Sequence, residues 1–377
     1  MKKVIIFITP HNNLFGAEKS LLAILKNVKL RGYIPVAVIR SEGPIESEFI
    51  RLNIEYIISP FEISVNTRKQ IDIKQGIYYF RNNHRESKKL AHILRERYGD
   101  RIALVHTNSI VTDFGAMLAE RLRVCHIQHI REFGDLDFNM EYCLGKRYAQ
   151  WCFRKTSRFI CISDAVLQHY ASWLPTSKLI RIYNGINVEQ YEMVKFHGVK
   201  PLKLLMVGRL GEEKGQMEAI NAIHLVKEMK SDLNISLDFW GSGEYKDVLE
   251  RAVNQYQLQN EIHFCGFSSS IPYAEYNGAI MASRAEAFGR VTVEYMLKGI
   301  PVIGARSGAT TELISDKETG ILYELGNPID LAEKILFLHH NPELIERLVK
   351  DAYQYAVKNF SEDRYTNNVM NVLEPFL

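Results

Sequence analysis

Apolar runs of about five residues recur along the chain, each followed by an amphipathic stretch. This alternation is expected of parallel strands joined by crossover helices. In the first half the runs fall at Val4–Thr9, 35–40, 102–106, Cys125–Ile130, 158–162 and 179–182. Leu21, Leu22, Leu25 and Val28 recur at helical spacing and predict a helix over 17–30. After a polar, weakly periodic stretch at about 187–201 the pattern restarts, with strands expected at 203–207, Ile235–Trp240, 262–264, Gly278–Met281 and 301–304. Ala219, Ile220, Ile223 and Val226 predict a helix over 216–230. Residues 361–377 read as a closing helix, with Ser361 as cap and Glu362 and Asp363 in its first turn. The expected fold is α/β: two Rossmann-like αβα domains, 1–188 and 189–360, facing each other across a cleft, where ligands are favoured.

Composition narrows this picture. The 377 residues suffice for two domains, and 46% apolar with 24% charged residues exclude a disordered chain, a collagen-like fibre and a small disulfide-stapled module. Cys125, Cys143, Cys152, Cys161 and Cys265 form no CxxC pair and read as reduced thiols of a cytoplasmic protein, with no zinc site expected. The apolar run after Lys2 and Lys3 is too short for a signal peptide, and no run reaches the roughly 18 residues of a membrane span. A soluble or at most peripheral protein is expected. The net charge of +3 conceals an asymmetry: residues 1–190 carry 28 Lys and Arg against 18 Asp and Glu, residues 191–377 carry 19 against 26. Two domains with different partners would produce such a split.

Three motifs carry candidate chemistry. Gly16 lies in Leu14-Phe15-Gly16-Ala17-Glu18, between the first strand and the first helix, where backbone can approach a ligand and the helix N-terminus offers N–H groups to an anion. Alone it is a weak signal, and it is not a GxGxxG. Gly208-Arg209-Leu210-Gly211-Glu212-Glu213-Lys214-Gly215 follows the first strand of the second half and sets two cations beside glycines, which suits a phosphate-bearing ligand. It is not a Walker P-loop. Glu286-Ala287-Phe288-Gly289-Arg290-Val291-Thr292-Val293-Glu294 places two carboxylates about a Phe-Gly turn, at the carboxyl end of a parallel sheet. Glu294 lies within the following helix and could accept hydroxyl hydrogen bonds, whereas Glu286 lies in the loop. His129-Ile130-Arg131-Glu132 and His106-Thr107-Asn108 stand at strand ends, although a lone histidine is more often structural. Asp135-Leu136-Asp137 has the form of a metal-chelating pair but lacks further ligand spacing and reads as surface loop.

The ordered set GRLGEEKG, FWGSGE, FCGF, EAFGRVTVE, KGIPVIG, SGATTELI and ETGILY resembles the retaining family-four glycosyltransferases of twin Rossmann-like (GT-B) architecture. The resemblance runs from Gly16 through Tyr183-Asn184-Gly185-Ile186 to Gly320-Ile321-Leu322. It implies transfer of a sugar from a nucleotide diphosphate donor with retention at the anomeric carbon, without a bound metal or cofactor. By position, Arg209 and Lys214 would hold the diphosphate and stabilise the leaving group, Glu286 would contact the donor sugar and Glu294 the ribose. The backbone of Gly208 and of Phe288, Gly289, Arg290 and Val291 would meet the donor, and Gly16 would let the opposing domain approach the diphosphate. His129 would be the acceptor-domain histidine near the transferred sugar, and the last helix would cross back onto the first domain. A same-face displacement through an oxocarbenium-like state is favoured for such enzymes, and the two-carboxylate logic of retaining hydrolases does not apply. Three departures stand out: Ser307-Gly308-Ala309 and Phe15-Gly16 where consecutive glycines are frequent, and Arg290 where an apolar residue is common.

Between Thr67 and Tyr98 lie nine basic residues (Arg68, Lys69, Lys74, Arg81, Arg85, Lys88, Lys89, Arg95, Arg97), three acids and the run Tyr78-Tyr79-Phe80. Trp151-Cys152-Phe153-Arg154-Lys155 forms a second basic–aromatic patch. Both suit an anionic membrane face and a glycan or lipid-linked acceptor of bacterial surface polysaccharide or lipopolysaccharide. A uridine diphosphate sugar is mildly preferred as donor, on frequency alone. Two other readings stay open: a sugar-nucleotide epimerase or phosphorylase on this architecture, and a catalytically silent nucleic-acid-binding protein. The acidic second half and the lack of an RNA-binding aromatic signature oppose the latter, so nucleic acid is not expected as a partner.

Overall fold

All six side chains of Val4–Thr9 are buried, which requires a strand covered on both faces. Its neighbours extend this into a seven-stranded parallel sheet ordered Glu55–Ile58, Ile34–Ile39, Val4–Thr9, Ile102–Asn108, Cys125–Ile130, Arg158–Cys161 and Leu179–Arg181. Alternate residues serve the two faces. Ile5 and Phe7 pack with Leu21, Leu25 and Val28 of the helix Gly16–Leu30 and with Val369 and Met370 of Glu362–Leu373. Val4, Ile6 and Ile8 pack with Leu90 and Leu94 of Ile73–Tyr98 and with Phe114 and Leu118.

The computed structural model describes residues 1–66, 73–194, 198 and 201–377. They form two units: Met1–Gly185 with Glu362–Leu377, and Ile186–Ser361. The second unit carries a six-stranded parallel sheet ordered Ile262–Gly266, Ile235–Trp240, Leu202–Val207, Gly278–Met281, Val302–Ala305 and Ile321–Tyr323. Its core gathers Leu204 and Leu237 with Ile220 and Ile223 of Gln216–Met229 and Leu331 and Ile335 of Pro328–His340. Both units are thus Rossmann-like α/β layers.

The apolar runs became strands at nearly the expected bounds. Glu55–Ile58 and Ile321–Tyr323 had no such signal. The first is a half-exposed four-residue edge, the second only three residues long. His106 lies inside its strand rather than at its end. Asp135–Phe138 is a single helical turn, in which Asp137 accepts the Phe133 and Gly134 N–H groups at 3.0 and 2.8 Å; the pair is tied into local backbone rather than free in a loop. The basic segment is helical over Ile73–Tyr98, while Arg68 and Lys69 lie outside the described residues.

Candidate active site

In the second sheet the strand order reverses between Leu202–Val207 and its parallel neighbour Gly278–Met281, which pair through Leu204 with Gly278 and Leu205 with Ala279. Loops leaving the carboxyl ends of two such strands open the crevice in which α/β sheets bind ligands. The first of these loops holds Gly208 to Gly215, the second Ala282 to Gly289. Gly215, at φ 74°, brings them together: a Cβ there would lie 2.1 Å from the Ala282 carbonyl oxygen, so only glycine permits the contact. The Arg284 N–H then donates to the Glu213 carbonyl at 2.8 Å.

That juxtaposition sets the charges. Lys214 Nζ donates to Glu286 Oε2 at 3.1 Å, with both side chains largely covered. Arg209 donates through one nitrogen to Glu213 at 2.6 Å and through another to Glu244 at 2.8 Å. Its carbonyl accepts from Gln216 Nε2 at 2.8 Å, fixing the loop. Each cation proposed from the sequence therefore already faces a carboxylate.

Glu286 is placed by its backbone. The Ala309 N–H donates to the Glu286 carbonyl at 2.8 Å, and a Cβ on Gly308 would lie 2.5 Å from that same oxygen. The departure at Ser307-Gly308-Ala309 is thus a clamp on Glu286, with Ala309 fully buried. Gly289, at φ 90°, precedes the helix Arg290–Lys298, whose N-terminus has no side-chain cap hydrogen bond. Val291 is partly exposed, and Arg290 is the first helical residue. Phe288 is buried edge-on against Phe360, their centroids 5.8 Å apart, so it can offer a ligand only its backbone.

Glu294 is partly exposed and flanked by two tyrosines that sequence reading missed. Burial pushes the Tyr191 hydroxyl above its usual range, and Glu294, its hydrogen-bond partner, pushes it further. Tyr273 is pushed up to about 12, first by burial and then by Glu294. Lys298 Nζ lies 5.5 Å from the Tyr191 ring centroid and 5.8 Å from that of Tyr273. No local pattern links Tyr191 or Tyr273 to Glu294.

Gly16 and His129 belong to the first unit. Gly16 opens the helix Gly16–Leu30, behind an exposed Phe15. His129 does not lie on an open face. It is fully buried, with Nδ1 3.4 Å from His106 Nε2 and 3.5 Å from Arg131, and its Nε2 has no hydrogen-bond partner. Burial lowers its pKa well below 6.5, and the Arg131 charge adds to this, which favours the neutral ring. Arg131, itself buried, donates to Asn108 at 2.7 Å, Asn184 at 2.6 Å and the Tyr365 hydroxyl at 2.9 Å. It ties three strand ends to the final helix. Glu132 is buried, accepts from Ser109 Oγ and the Ile110 N–H, and is raised to about 7 mainly by burial.

Among the described residues no group of three or more His, Cys, Asp or Glu could hold a metal ion, and no helix is long and apolar enough to cross a membrane. Lys74, Tyr78, Arg81, Arg85 and Lys88 recur at helical spacing on Ile73–Tyr98 and are all exposed. Trp151 is half exposed, with the Arg154 guanidinium 4.2 Å from its ring centroid.

Comparison with known proteins is consistent along the chain. Residues 16–190 match the family described as Glycosyltransferase Family 4, and residues 189–355 match Glycosyl transferases group 1. An uncharacterised glycosyltransferase of Methanocaldococcus jannaschii is 27% identical over 306 residues, covering 80% of this chain and 81% of that one. The lipopolysaccharide core biosynthesis glycosyltransferase LpsE of Rhizobium meliloti is 23% identical over 227 residues, covering 59% of this chain and 65% of that one. Among solved structures, HepE of Anabaena in complex with UDP superposes with a TM-score of 0.79 at 20% identity, covering 100% of both chains.

Proposed function

As the two family matches together span residues 16–355, the chain belongs to the GT-B glycosyltransferases, and from that premise we propose that it is a retaining enzyme using a uridine diphosphate sugar. The observation that carries this reading is the Lys214–Glu286 contact at the strand-order reversal of the second sheet. There a lysine for phosphate and a carboxylate for sugar hydroxyls stand within one hydrogen bond of each other. In this reading Arg209 and Lys214 receive the diphosphate and Glu286 orients the sugar. Glu294 takes the ribose, and the N–H groups after Gly289 take a phosphate oxygen. Gly208 and the backbone of Phe288, Arg290 and Val291 line the donor.

The acceptor hydroxyl attacks the anomeric carbon on the face from which the diphosphate departs. The C–O bond pair passes to the phosphate oxygen, and the acceptor proton passes to the same leaving group. Preorganised cations at that oxygen lower the barrier because they replace water that would otherwise reorganise. No metal or cofactor is required in this scheme. Structures of the Anabaena neighbour with UDP and with UDP-glucose support a uridine donor. The Rhizobium relative supports a lipopolysaccharide or surface-polysaccharide acceptor. The exposed basic face of Ile73–Tyr98 suits an anionic membrane surface, where a lipid-linked acceptor would reside.

The test is a thermal-shift screen of the purified protein against UDP, GDP, ADP and dTDP, each with EDTA. A ligand that binds only the folded state must raise the melting temperature. A selective rise with UDP is expected. No shift with any nucleotide at millimolar concentration would overturn the donor site, and salt-sensitive binding of RNA instead would favour a silent nucleic-acid-binding protein.

A further inference from the structure

A cavity of about 240 Å³ in the first unit belongs to none of the residues assigned above. Phe133, Tyr142, Tyr170 and Trp173 form its aromatic walls. Tyr142 meets Trp173 edge-on at 5.9 Å and Tyr170 lies 5.5 Å from the same ring. The Tyr170 hydroxyl donates to the Phe133 carbonyl at 2.9 Å, so the walls are braced in advance. Four ionisable groups line the same space. His169 Nε2 lies 3.0 Å from Asp135 Oδ1, Lys146 Nζ sits 5.2 Å from the Trp173 ring centroid, and Glu141 completes the set.

This combination selects a ligand class. An acyl chain would desolvate the charged groups without giving them partners. A phosphate or uronate would face two carboxylates against one lysine and one histidine already paired with Asp135. A neutral sugar ring meets both demands: its C–H face covers aromatic rings, and its hydroxyls bond carboxylates, imidazole and ammonium. The cavity wall also stores strain. Ser109 adopts φ 119° beside the lining residue Ile110, held there by hydrogen bonds from Ser109 Oγ and the Ile110 N–H to buried Glu132 at 2.6 and 2.9 Å. Such strain persists only where surrounding structure enforces it.

We propose that this cavity is a carbohydrate subsite for one neutral pyranose ring. That the ring belongs to the acceptor rests on the glycosyltransferase reading; that the cavity binds sugar does not. The experiment is saturation-transfer NMR with the methyl β-glycosides of glucose, galactose and N-acetylglucosamine, at roughly 10 mM, enough to fill a millimolar site. Ring protons of at least one glycoside should be saturated by the wild type and not by Trp173→Ala, while the UDP thermal shift is the same in both. Trp173 is partly exposed, so its truncation should leave the fold intact; Lys146→Met, at an exposed position, should weaken binding several-fold as a second reading. Saturation of no glycoside, equal saturation in the wild type and Trp173→Ala, or displacement of a bound dye by dodecanoate but by no glycoside would each overturn the proposal. Glycoside binding without any nucleotide shift would keep the subsite and remove the transferase reading.

Discussion

Lys214 and Glu286 lie 72 positions apart in the chain and meet at 3.1 Å. Their loops leave neighbouring strands and are pressed together at Gly215, where no side chain fits. In the proposed donor site the lysine would exchange this carboxylate for a phosphate, and the carboxylate would exchange the ammonium for sugar hydroxyls.

Replacing either partner should remove turnover rather than folding. Lys214→Ala and Glu286→Ala are each expected to lower kcat by about 10²–10³-fold, the range for loss of one preorganised group at a developing charge. Circular dichroism should be unchanged. Activity within threefold of wild type in both variants would remove these residues from the reaction.

The Gly308 backbone touches Glu286 more closely than any side chain allows, with a would-be Cβ 2.5 Å from its carbonyl oxygen. Gly308→Ala should therefore displace Glu286. The UDP-sugar KM is expected to rise at least tenfold, with thermal stability falling by a few degrees. A variant with wild-type KM would show that the clamp does not position the carboxylate.

Arg209 is held by Glu213 and Glu244, so a diphosphate must compete with two carboxylates. Pairs this exposed are worth about 1 kcal/mol or less. Glu213→Gln should tighten UDP two- to fivefold and Arg209→Ala should weaken it by more than tenfold, read by calorimetry. Weaker UDP binding in Glu213→Gln would mean that Glu213 aligns the arginine instead of competing for it.

Three buried histidines are expected to weigh on acid stability. Burial is the main cause that pushes His106 and His126 down to about 3 and His129 well below 6.5. Their folded pKa values lie below the unfolded one, so their stabilisation is present above pH 6.5 and is lost as pH falls. Each contributes a slope of about 1.4 kcal/mol per pH unit. Glu132, raised from 4.5 to about 7, acts oppositely: its contribution is present below pH 4.5 and lost as pH rises to 7. Three proton-linked losses against one opposing gain predict falling urea midpoints from pH 6.5 to 5, and a steeper fall in Glu132→Gln. A flat profile over that window would contradict the burial of these rings.

The exposed basic face of Ile73–Tyr98 gives a further test, by flotation with vesicles containing phosphatidylglycerol at low salt. Lysine and arginine near an anionic leaflet contribute about 1 kcal/mol each. Arg81→Glu with Lys88→Glu should abolish flotation and leave UDP binding unchanged. Absence of wild-type flotation would overturn the membrane-surface reading of this helix.

Much of this protein is written locally. Val4–Thr9, Cys125–Ile130, Ile235–Trp240 and Gly278–Met281 appear as strands at the expected bounds; for Val4–Thr9 and Gly278–Met281 the reason is that a doubly covered parallel strand reads as a near-continuous hydrophobic run. The two acidic positions about Phe288-Gly289 are legible for the same reason: a loop, a glycine at φ 90° and a helix start within a few residues. Other features depended on which strands become neighbours. The grip of Glu244 on Arg209, the meeting of Lys214 with Glu286, the clamp from Gly308, and the tyrosines flanking Glu294 all join segments far apart in the chain. No period or spacing encodes those meetings. The burial of His129 was equally hidden, since a histidine at the end of a strand looks the same in sequence whether it faces solvent or lies beneath Arg131 and Tyr365. Only the packed sheet, with the final helix laid against it, excluded water from that ring and fixed its charge.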